Sequence, residues 1–221
     1  VHAMWLLRDV QRYFVALPET AVHLAQVGIP EARISVTGIP IDPCFAQPKD
    51  QAQARRTLGL DPQLTTLLVS AGGFGVGPID YLLASLAQLR HPAQVAVICG
   101  KNAELRDRLA VRVKALPQPS QGRFHLVGYT RQMDDYMAAA DLLVGKPGGL
   151  TTSEAMARGL VMVIVNPIPG QEERNSDHLL EEGVAIRCNN LPVLAYKIDR
   201  LLDDPARLAT MRQNCARLAP P

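Results

Sequence analysis

The 221-residue sequence predicts an α/β fold, in which a doubly wound parallel sheet is covered by helices on both faces. Apolar runs of strand length alternate with longer segments of helical periodicity, and this alternation is typical of parallel sheets. The short runs are rich in Val, Leu and Ile, as expected for strands that are buried on both faces. No segment recurs at a fixed period, which excludes repeat architectures.

The predicted strands are apolar runs separated by segments long enough for a helix. In chain order they are YFVAL near Tyr13, RISVTG near Ile34, TTLLVSA ending at Ala71, QVAVIC ending at Cys99, FHLVG ending at Gly128, DLLVG ending at Gly145, and LVMVIV over 160–165. Several of the intervening helices have a proline at a first-turn position, where its missing N–H is harmless. The helices are predicted to begin near Pro18, Gln51, Pro78, Asn102, Gln132, Thr151, Glu172 and Pro192.

The stretch from Gly38 to Asp50 carries three prolines and no hydrophobic periodicity, so we predict an interdomain linker over 38–50. It separates residues 1–37, the end of an N-terminal domain, from residues 51–221, a complete C-terminal domain. The first part contains two strands and one helix, which are too few to bury a core. Because the chain also begins without Met, we expect the natural protein to extend upstream of Val1.

Composition and charge fit an ordinary globular protein. Hydrophobic residues make up 48% and charged residues 20% of the sequence, which excludes disordered and coiled-coil chains. The net charge is +2, and no run of Lys or Arg indicates a nucleic-acid partner. No apolar stretch approaches the roughly 18 residues that span a bilayer. The four cysteines are far apart and form no CxxC pair, which indicates reduced thiols in a cytosolic protein.

A glycine-rich turn over 72–78 joins the third predicted strand to a helix. Gly72 and Gly73 would let backbone N–H groups approach a phosphate beside a helix N-terminus, although the turn could also serve only to pack helix on strand. The pattern argues against NAD, because Pro78 takes the third glycine position and no acidic residue ends the next strand. No Walker loop is present to support ATP hydrolysis.

The segment over 145–159, GKPGGLTTSEAMARG, places a proline, two glycines and a helix start directly after a strand. Free amides here would point at an anion, as in a diphosphate-binding site. We expect them near Gly148, Gly149, Leu150 and Thr151. Two interpretations of Glu154 stay open. It matches the TxxE pattern of a capping box with Thr151, or it is a carboxylate that binds a ligand.

Two further segments follow predicted strands. In PIPGQEERN, the side chains of Gln171, Glu172 and Asn175 suit sugar hydroxyls, although Glu172 and Glu173 could instead complement a helix dipole. In GYTRQM, a planar base could lie against the backbone at Tyr129 and against Met133, although such residues more often belong to a core. No DxD pair and no His and Cys cluster indicates a metal site.

The motifs follow one another along nearly the whole chain as HxxW (His2 and Trp5), GIPIDPCF, SAGGFGVGP, CGKN, GYTRQM, KPGGLT and PGQEERN. This combination resembles the carboxyl-terminal half of a GT-B glycosyltransferase, in the group of monogalactosyldiacylglycerol synthase and processive diacylglycerol glucosyltransferase, with lipid II synthase more distant. KPGGLT followed by PGQE carries most of the resemblance.

The resemblance implies a UDP-sugar site. Uracil would lie at the backbone near Tyr129 and Met133, and Glu154 would hold the ribose hydroxyls. Gly72 and Gly73 would lie beside the donor phosphates and sugar, and Lys101 and Lys146 are weaker candidates for charge. The diphosphate would be bound at Pro147, Gly148, Gly149, Leu150 and Thr151, and the hexose would be bound at Gln171, Glu172 and Asn175.

The resemblance further implies an inverting transfer of galactose or glucose from UDP-galactose or UDP-glucose to a lipid acceptor such as diacylglycerol, without metal or cofactor. The general base and the surface that docks on the membrane would belong to the missing N-terminal domain. We therefore expect no catalytic residue in this chain, which would be soluble and inactive alone, whereas the whole enzyme would be peripheral on the cytoplasmic side of the membrane. Two alternatives stay open, a non-catalytic UDP-sugar-binding subunit that needs a separate acceptor subunit and a UDP-sugar epimerase.

Overall fold

The structure is a computed structural model that describes residues 6, 7, 9–70, 79–118 and 120–219. Its main body is a six-stranded parallel sheet flanked by helices, so the predicted α/β fold is confirmed. The strands are β1 Tyr13–Val15, β2 Ile34–Val36, β3 Thr65–Ser70, β4 Ala93–Ile98, β5 Phe124–Val127, β6 Leu142–Gly145, β7 Val161–Ile164 and β8 Ala185–Arg187. The α-helices are α1 Pro18–Gln26, α2 Gln51–Thr57, α3 Ile79–Leu86, α4 Ala103–Lys114, α5 Met133–Ala139, α6 Gly149–Ala157, α7 Gln171–Glu181, α8 Leu194–Leu202 and α9 Pro205–Leu218.

The strand order in the main sheet is β5-β4-β3-β6-β7-β8. The chain runs outward from β3 to β5 and then returns to lay β6 on the other side of β3, which makes the pair β3 and β6 the switch point of a doubly wound sheet. The backbones approach closely there, because a Cβ atom on Gly145 would lie 3.2 Å from the carbonyl oxygen of Ser70. A ligand crevice is therefore expected outside the carboxyl ends of these two strands.

The core lies on both faces of the main sheet. The central residues of β3 and β6, over 67–69 and 142–144, have no solvent exposure. Helices α3 and α4 contribute buried leucines, including Leu83 and Leu109. Burial on both faces explains why these strands appear in the sequence as continuous apolar runs rather than as alternating patterns.

Residues 9–37 form a small unit of their own. Strand β1 pairs in parallel with β2 in a separate two-stranded sheet, and α1 packs on it through a cluster of Val15, Leu24 and Ile29. In the described part of the chain no further strand pairs with β1, and its Phe14 is 69% exposed. The domain boundaries at residues 37 and 50 stay a prediction.

The predicted linker contacts the main body through Ile39 and Ile41. A short 3₁₀ helix over Pro43–Phe45 is capped by Asp42, whose carboxylate accepts the Cys44 N–H at 2.9 Å. Phe45 is buried in the main core. The Arg158 side chain, which is 6% exposed, donates to the carbonyl oxygens of Cys44 and Gln47.

The sequence prediction missed two elements near the C-terminus. Strand β8 has only three residues, which is too short for a pattern to show. The helix predicted near Pro192 is in fact two helices, α8 and α9, which are separated at Asp203 and Asp204. The start of α9 could have been predicted from the sequence, because Asp and Pro in succession are typical of a helix N-terminus. Asp204 caps the helix by accepting the Arg207 N–H at 2.9 Å, and Pro205 occupies the first turn.

Candidate functional site

Helix α6 begins at Gly149, two residues earlier than predicted. Its N-cap is Gly148, which has an extended backbone (φ −67°, ψ 147°) and whose carbonyl oxygen accepts the Thr152 N–H at 2.9 Å. Thr151 therefore lies inside the first turn, where it cannot serve as the N-cap. The capping-box interpretation of Thr151 and Glu154 is wrong, and no side chain of the described residues caps this helix.

The open end of α6 leaves three backbone amides without a helical acceptor. The Gly148 N–H donates to the Lys146 carbonyl at 2.9 Å, so the available donors are those of Gly149, Leu150 and Thr151. This end of the helix follows β6 directly and lies at the switch-point edge of the sheet. Three amides together with the helix dipole favour an anion at this place. Pro147, just before the cap, is buried.

The linker covers the same helix end. A Cβ atom on Gly149 would lie 3.0 Å from the Cδ1 atom of Ile39. No pattern in the sequence places Ile39 there, because it belongs to a proline-rich segment without periodicity. The glycine at 149 thus lets the linker pack directly on the first turn of α6.

Glu154 is an acidic side chain of α6 that has no partner among the described residues. It is half-buried and forms no hydrogen bond or ion pair with any described residue. Burial raises its pKa above the ordinary value of 4.5. A half-buried carboxylate without a protein partner is less favourable than one that accepts hydrogen bonds, which water or a ligand could donate. The ligand-binding role of Glu154 stays a prediction.

The loop before α7 is shaped by its own carboxylates. The Glu172 carboxylate accepts the Ile168 N–H at 2.7 Å, and the Glu173 carboxylate accepts the Gly170 N–H at 3.4 Å. Gly170 has φ +100°, a backbone conformation that favours glycine. Both carboxylates lie in the first turn of α7, where they also complement the helix dipole. Gln171 at the helix start is exposed.

Asn175 joins this helix to the loop before α6. Its side-chain amide donates to the Pro147 carbonyl oxygen at 2.8 Å. The predicted diphosphate-binding segment and the predicted sugar-binding loop are therefore in direct contact. No local pattern in the sequence indicates this bond, because it joins residues 28 positions apart.

The predicted base-binding segment lies at the end of β5. Tyr129 is 62% exposed, and the Lys101 ammonium is 5.6 Å from the centroid of its ring. Met133 begins α5 and packs partly against the core, as the alternative interpretation held. Strands β5 and β6 are three strand spacings apart, roughly 14 Å. This span is comparable to the length of an extended nucleoside diphosphate.

Several predicted residues lie outside the described part of the chain. Gly72 and Gly73 are among them, as are His2 and Trp5. Among the residues that are described, no group of three or more His, Cys, Asp or Glu side chains is placed to hold a metal ion. No described helix combines the length and apolar character needed to cross a membrane. The four cysteines are free, and Lys146 is half-buried.

Known proteins match this chain in two regions. Residues 50–218 match the family described as glycosyl transferases group 1, and residues 1–41 match monogalactosyldiacylglycerol (MGDG) synthase. Processive diacylglycerol beta-glucosyltransferase of Staphylococcus aureus (strain Newman) is 39% identical over 199 residues, which are 90% of this chain and 49% of that protein. The chain spans about half the length of the curated relatives that it matches.

Solved structures share the fold at low sequence identity. Anabaena HepE in complex with UDP is 18% identical, with a TM-score of 0.67 over 96% of this chain and 59% of that one. WaaG, a glycosyltransferase of lipopolysaccharide biosynthesis, is 19% identical, with a TM-score of 0.64 over 93% of this chain and 57% of that one. Acinetobacter baumannii MurG is 19% identical, with a TM-score of 0.61 over 96% of this chain and 61% of that one.

Proposed function

The chain belongs to the glycosyl transferases group 1 and has the GT-B type of fold, and we propose that it is the donor-binding half of an inverting enzyme. The proposed enzyme transfers a hexose from a UDP-sugar to a lipid such as diacylglycerol. The observation that supports this most directly is Glu154, a half-buried carboxylate that has no partner among the described residues. It lies on the helix whose first three amides have no acceptor in the described part of the chain. A UDP-sugar supplies the complement to both features, since its ribose hydroxyls are donors and its diphosphate is an anion.

The amides of α6 also give this half of the site a part in the chemistry. In the proposed transfer, an acceptor oxygen bonds to the anomeric carbon while the bond from that carbon to the diphosphate oxygen breaks. Negative charge then grows on the diphosphate. The N–H groups of Gly149, Leu150 and Thr151, together with the helix dipole, are preorganised to stabilise this charge. Acceptor binding and proton removal are assigned to the part of the relatives that this chain does not span, as is contact with the membrane surface.

We propose glucose as the transferred sugar. The relative that is 39% identical is named as a glucosyltransferase. The match to monogalactosyldiacylglycerol synthase covers residues 1–41, which contain none of the candidate residues for the donor. Donor choice should follow the segment that includes Gln171, Glu172 and Asn175, and this segment lies in the region shared with the glucosyltransferase.

Calorimetric titration of the chain with UDP, UDP-glucose, UDP-galactose and UDP-N-acetylglucosamine tests the proposal, with ADP and NAD as controls. We expect uridine nucleotides to bind selectively and UDP-glucose to bind more tightly than UDP-galactose. Equal affinity for ADP and UDP, or no binding by a folded sample, would contradict the donor-binding role. Conversion of UDP-glucose to UDP-galactose would establish an epimerase instead.

The affinity for UDP-glucose should fall as the pH is lowered from neutral toward the raised pKa of Glu154, which lies above 4.5 because the side chain is buried. The ionised carboxylate accepts the ribose hydroxyls, and protonation removes part of that capacity. UDP-glucose is the right probe because its diphosphate is esterified at both ends, whereas a terminal phosphate has a second pKa of about 6. Calorimetry over this pH range should show the dependence in the wild type and a flat profile in Glu154→Gln. Parallel profiles would exclude Glu154 as the group that titrates.

A further inference from the structure

Helix α5 is held at both ends by one short segment over 49–55. At its N-terminus, the Lys49 ammonium donates to the carboxylates of Asp134 and Asp135. At its C-terminus, the Gln51 amide donates to the Ala140 carbonyl at 2.9 Å, and the Arg55 guanidinium donates to the Ala139 carbonyl at 2.8 Å. This set of contacts fixes both the position and the direction of a helix of seven residues.

The contact at the N-terminal end is electrostatically specific. Hydrogen bonds from the Lys49 ammonium to Asp134 and then Asp135 raise the pKa of the lysine. Partial burial works to raise the pKa of Asp134, but the bond and charge of Lys49 bring it below the usual value. The side chains of Lys49 and Asp134 are 26% and 14% exposed, so this ion pair is partly shielded from water, although Lys49 as a whole residue is exposed.

Lys49 itself is held in place from both sides along the chain. The residues before it are fixed by Arg158, which binds the Cys44 and Gln47 carbonyls, and the residue after it, Asp50, caps α2 by accepting the Gln53 N–H at 2.6 Å. The backbone of the linker therefore holds Lys49 in a fixed position. Helix α2 then packs on α5 through Ala54 and Ala139.

Lys49 contacts the end of α5 that lies next to the proposed binding site of the nucleotide base. Helix α5 begins at Met133, and the segment over 129–132 enters it directly, with the Gln132 N–H donating to the Thr130 hydroxyl at 3.0 Å. We infer that Lys49 is a positioning residue for uracil recognition, because it sets the start of α5 and hence the backbone near Tyr129. This inference rests on the proposed function. It adds that base recognition is set by the linker, although the linker contains none of the proposed ligand contacts.

The test is Lys49→Met, titrated with UDP, ADP and inorganic pyrophosphate. We expect UDP to bind about fivefold more weakly, in line with the loss of a partly shielded ion pair, and its preference over ADP to shrink by the same factor. Pyrophosphate binding should not change, because the amides of α6 are untouched. Amide hydrogen exchange over 128–136 should be faster in the variant without any nucleotide.

Two comparison variants complete the experiment. Lys49→Arg keeps the charge and should retain most of the preference for UDP. Lys197→Met removes another lysine, which donates to the Arg187 carbonyl at 2.6 Å beside the strand at the opposite edge of the sheet, and should change none of these readouts. Equal losses for UDP and pyrophosphate in Lys49→Met would mean general damage and would overturn the inference.

The remaining outcomes separate the inference from the proposed function. If the wild type prefers UDP and Lys49→Met shows the same preference and the same exchange rates, the inference alone fails. If the wild type shows no preference for uridine nucleotides, the proposed function fails and the inference fails with it.

Discussion

Glu154→Ala should weaken UDP binding by about 1 to 3 kcal/mol, or roughly 5- to 150-fold in Kd. In the wild type, the half-buried carboxylate has no partner among the described residues and is available to both ribose hydroxyls. In the variant, these hydroxyls lose their proposed acceptor at a half-buried position. Calorimetric titration of wild type and variant at neutral pH measures the difference directly.

The same variant distinguishes binding from structure. Because Glu154 forms no bond with any described residue, its removal should leave the melting temperature of the free chain unchanged or slightly higher. Glu104→Ala is the control for binding, since it removes an exposed glutamate from the first turn of α4 and should leave the affinity for UDP unchanged. A lower melting temperature with unchanged UDP affinity would show that Glu154 supports the fold and not the ligand.

Asp141→Ala should lower the free energy of unfolding by about 3 kcal/mol. Its carboxylate pairs with Arg55 at 2.7 Å and with Arg212 at 3.2 Å, and it accepts the Thr66 N–H at 2.8 Å. Arg55 is only 6% exposed, so removal of the carboxylate leaves a buried guanidinium without its counter-charge. The Thr66 bond also fastens β3 to the start of β6, the two strands of the switch point.

Urea denaturation followed by circular dichroism measures this loss, with Asp203→Ala as the control. Asp203 also contacts two basic side chains, Arg90 at 2.9 Å and His91 at 2.7 Å, but its side chain is 48% exposed. Pairs that are open to water contribute less than about 1 kcal/mol. Similar losses in the two variants would show that burial of the Asp141 network adds nothing to stability.

The fold could be predicted from the sequence because buried strands appear as continuous runs of apolar residues. The runs over 67–69 and 142–144 are apolar at every position, since both faces of the central strands are covered. Placing the candidate ligand segments at one sheet edge followed from the same pattern, because the carboxyl ends of parallel strands share an edge. Strand β8 could not be predicted in this way, because a strand of three residues is too short to show a pattern.

The details of the site depended on contacts that no local pattern encodes. The TxxE pattern at Thr151 and Glu154 was compatible with a cap, but the helix start is set by the backbone of Gly148. The bond from Asn175 to Pro147 and the pairing of Lys49 with Asp134 join residues 28 and 85 positions apart. Such bonds become visible only when the fold has brought the elements together.

The open N-terminus of α6 sets a limit on how this chain can be engineered. Helices α2, α4 and α9 each begin with a side-chain cap, from Asp50, Asn102 and Asp204, whereas α6 begins with Gly148. A capping Ser or Asp at 148 would gain only roughly a few tenths of a kcal/mol over glycine. It would also occupy an amide that the proposed donor needs and, as Asp, would repel the diphosphate. Stabilising designs should therefore leave this position unchanged, because the proposed ligand would serve as the cap here.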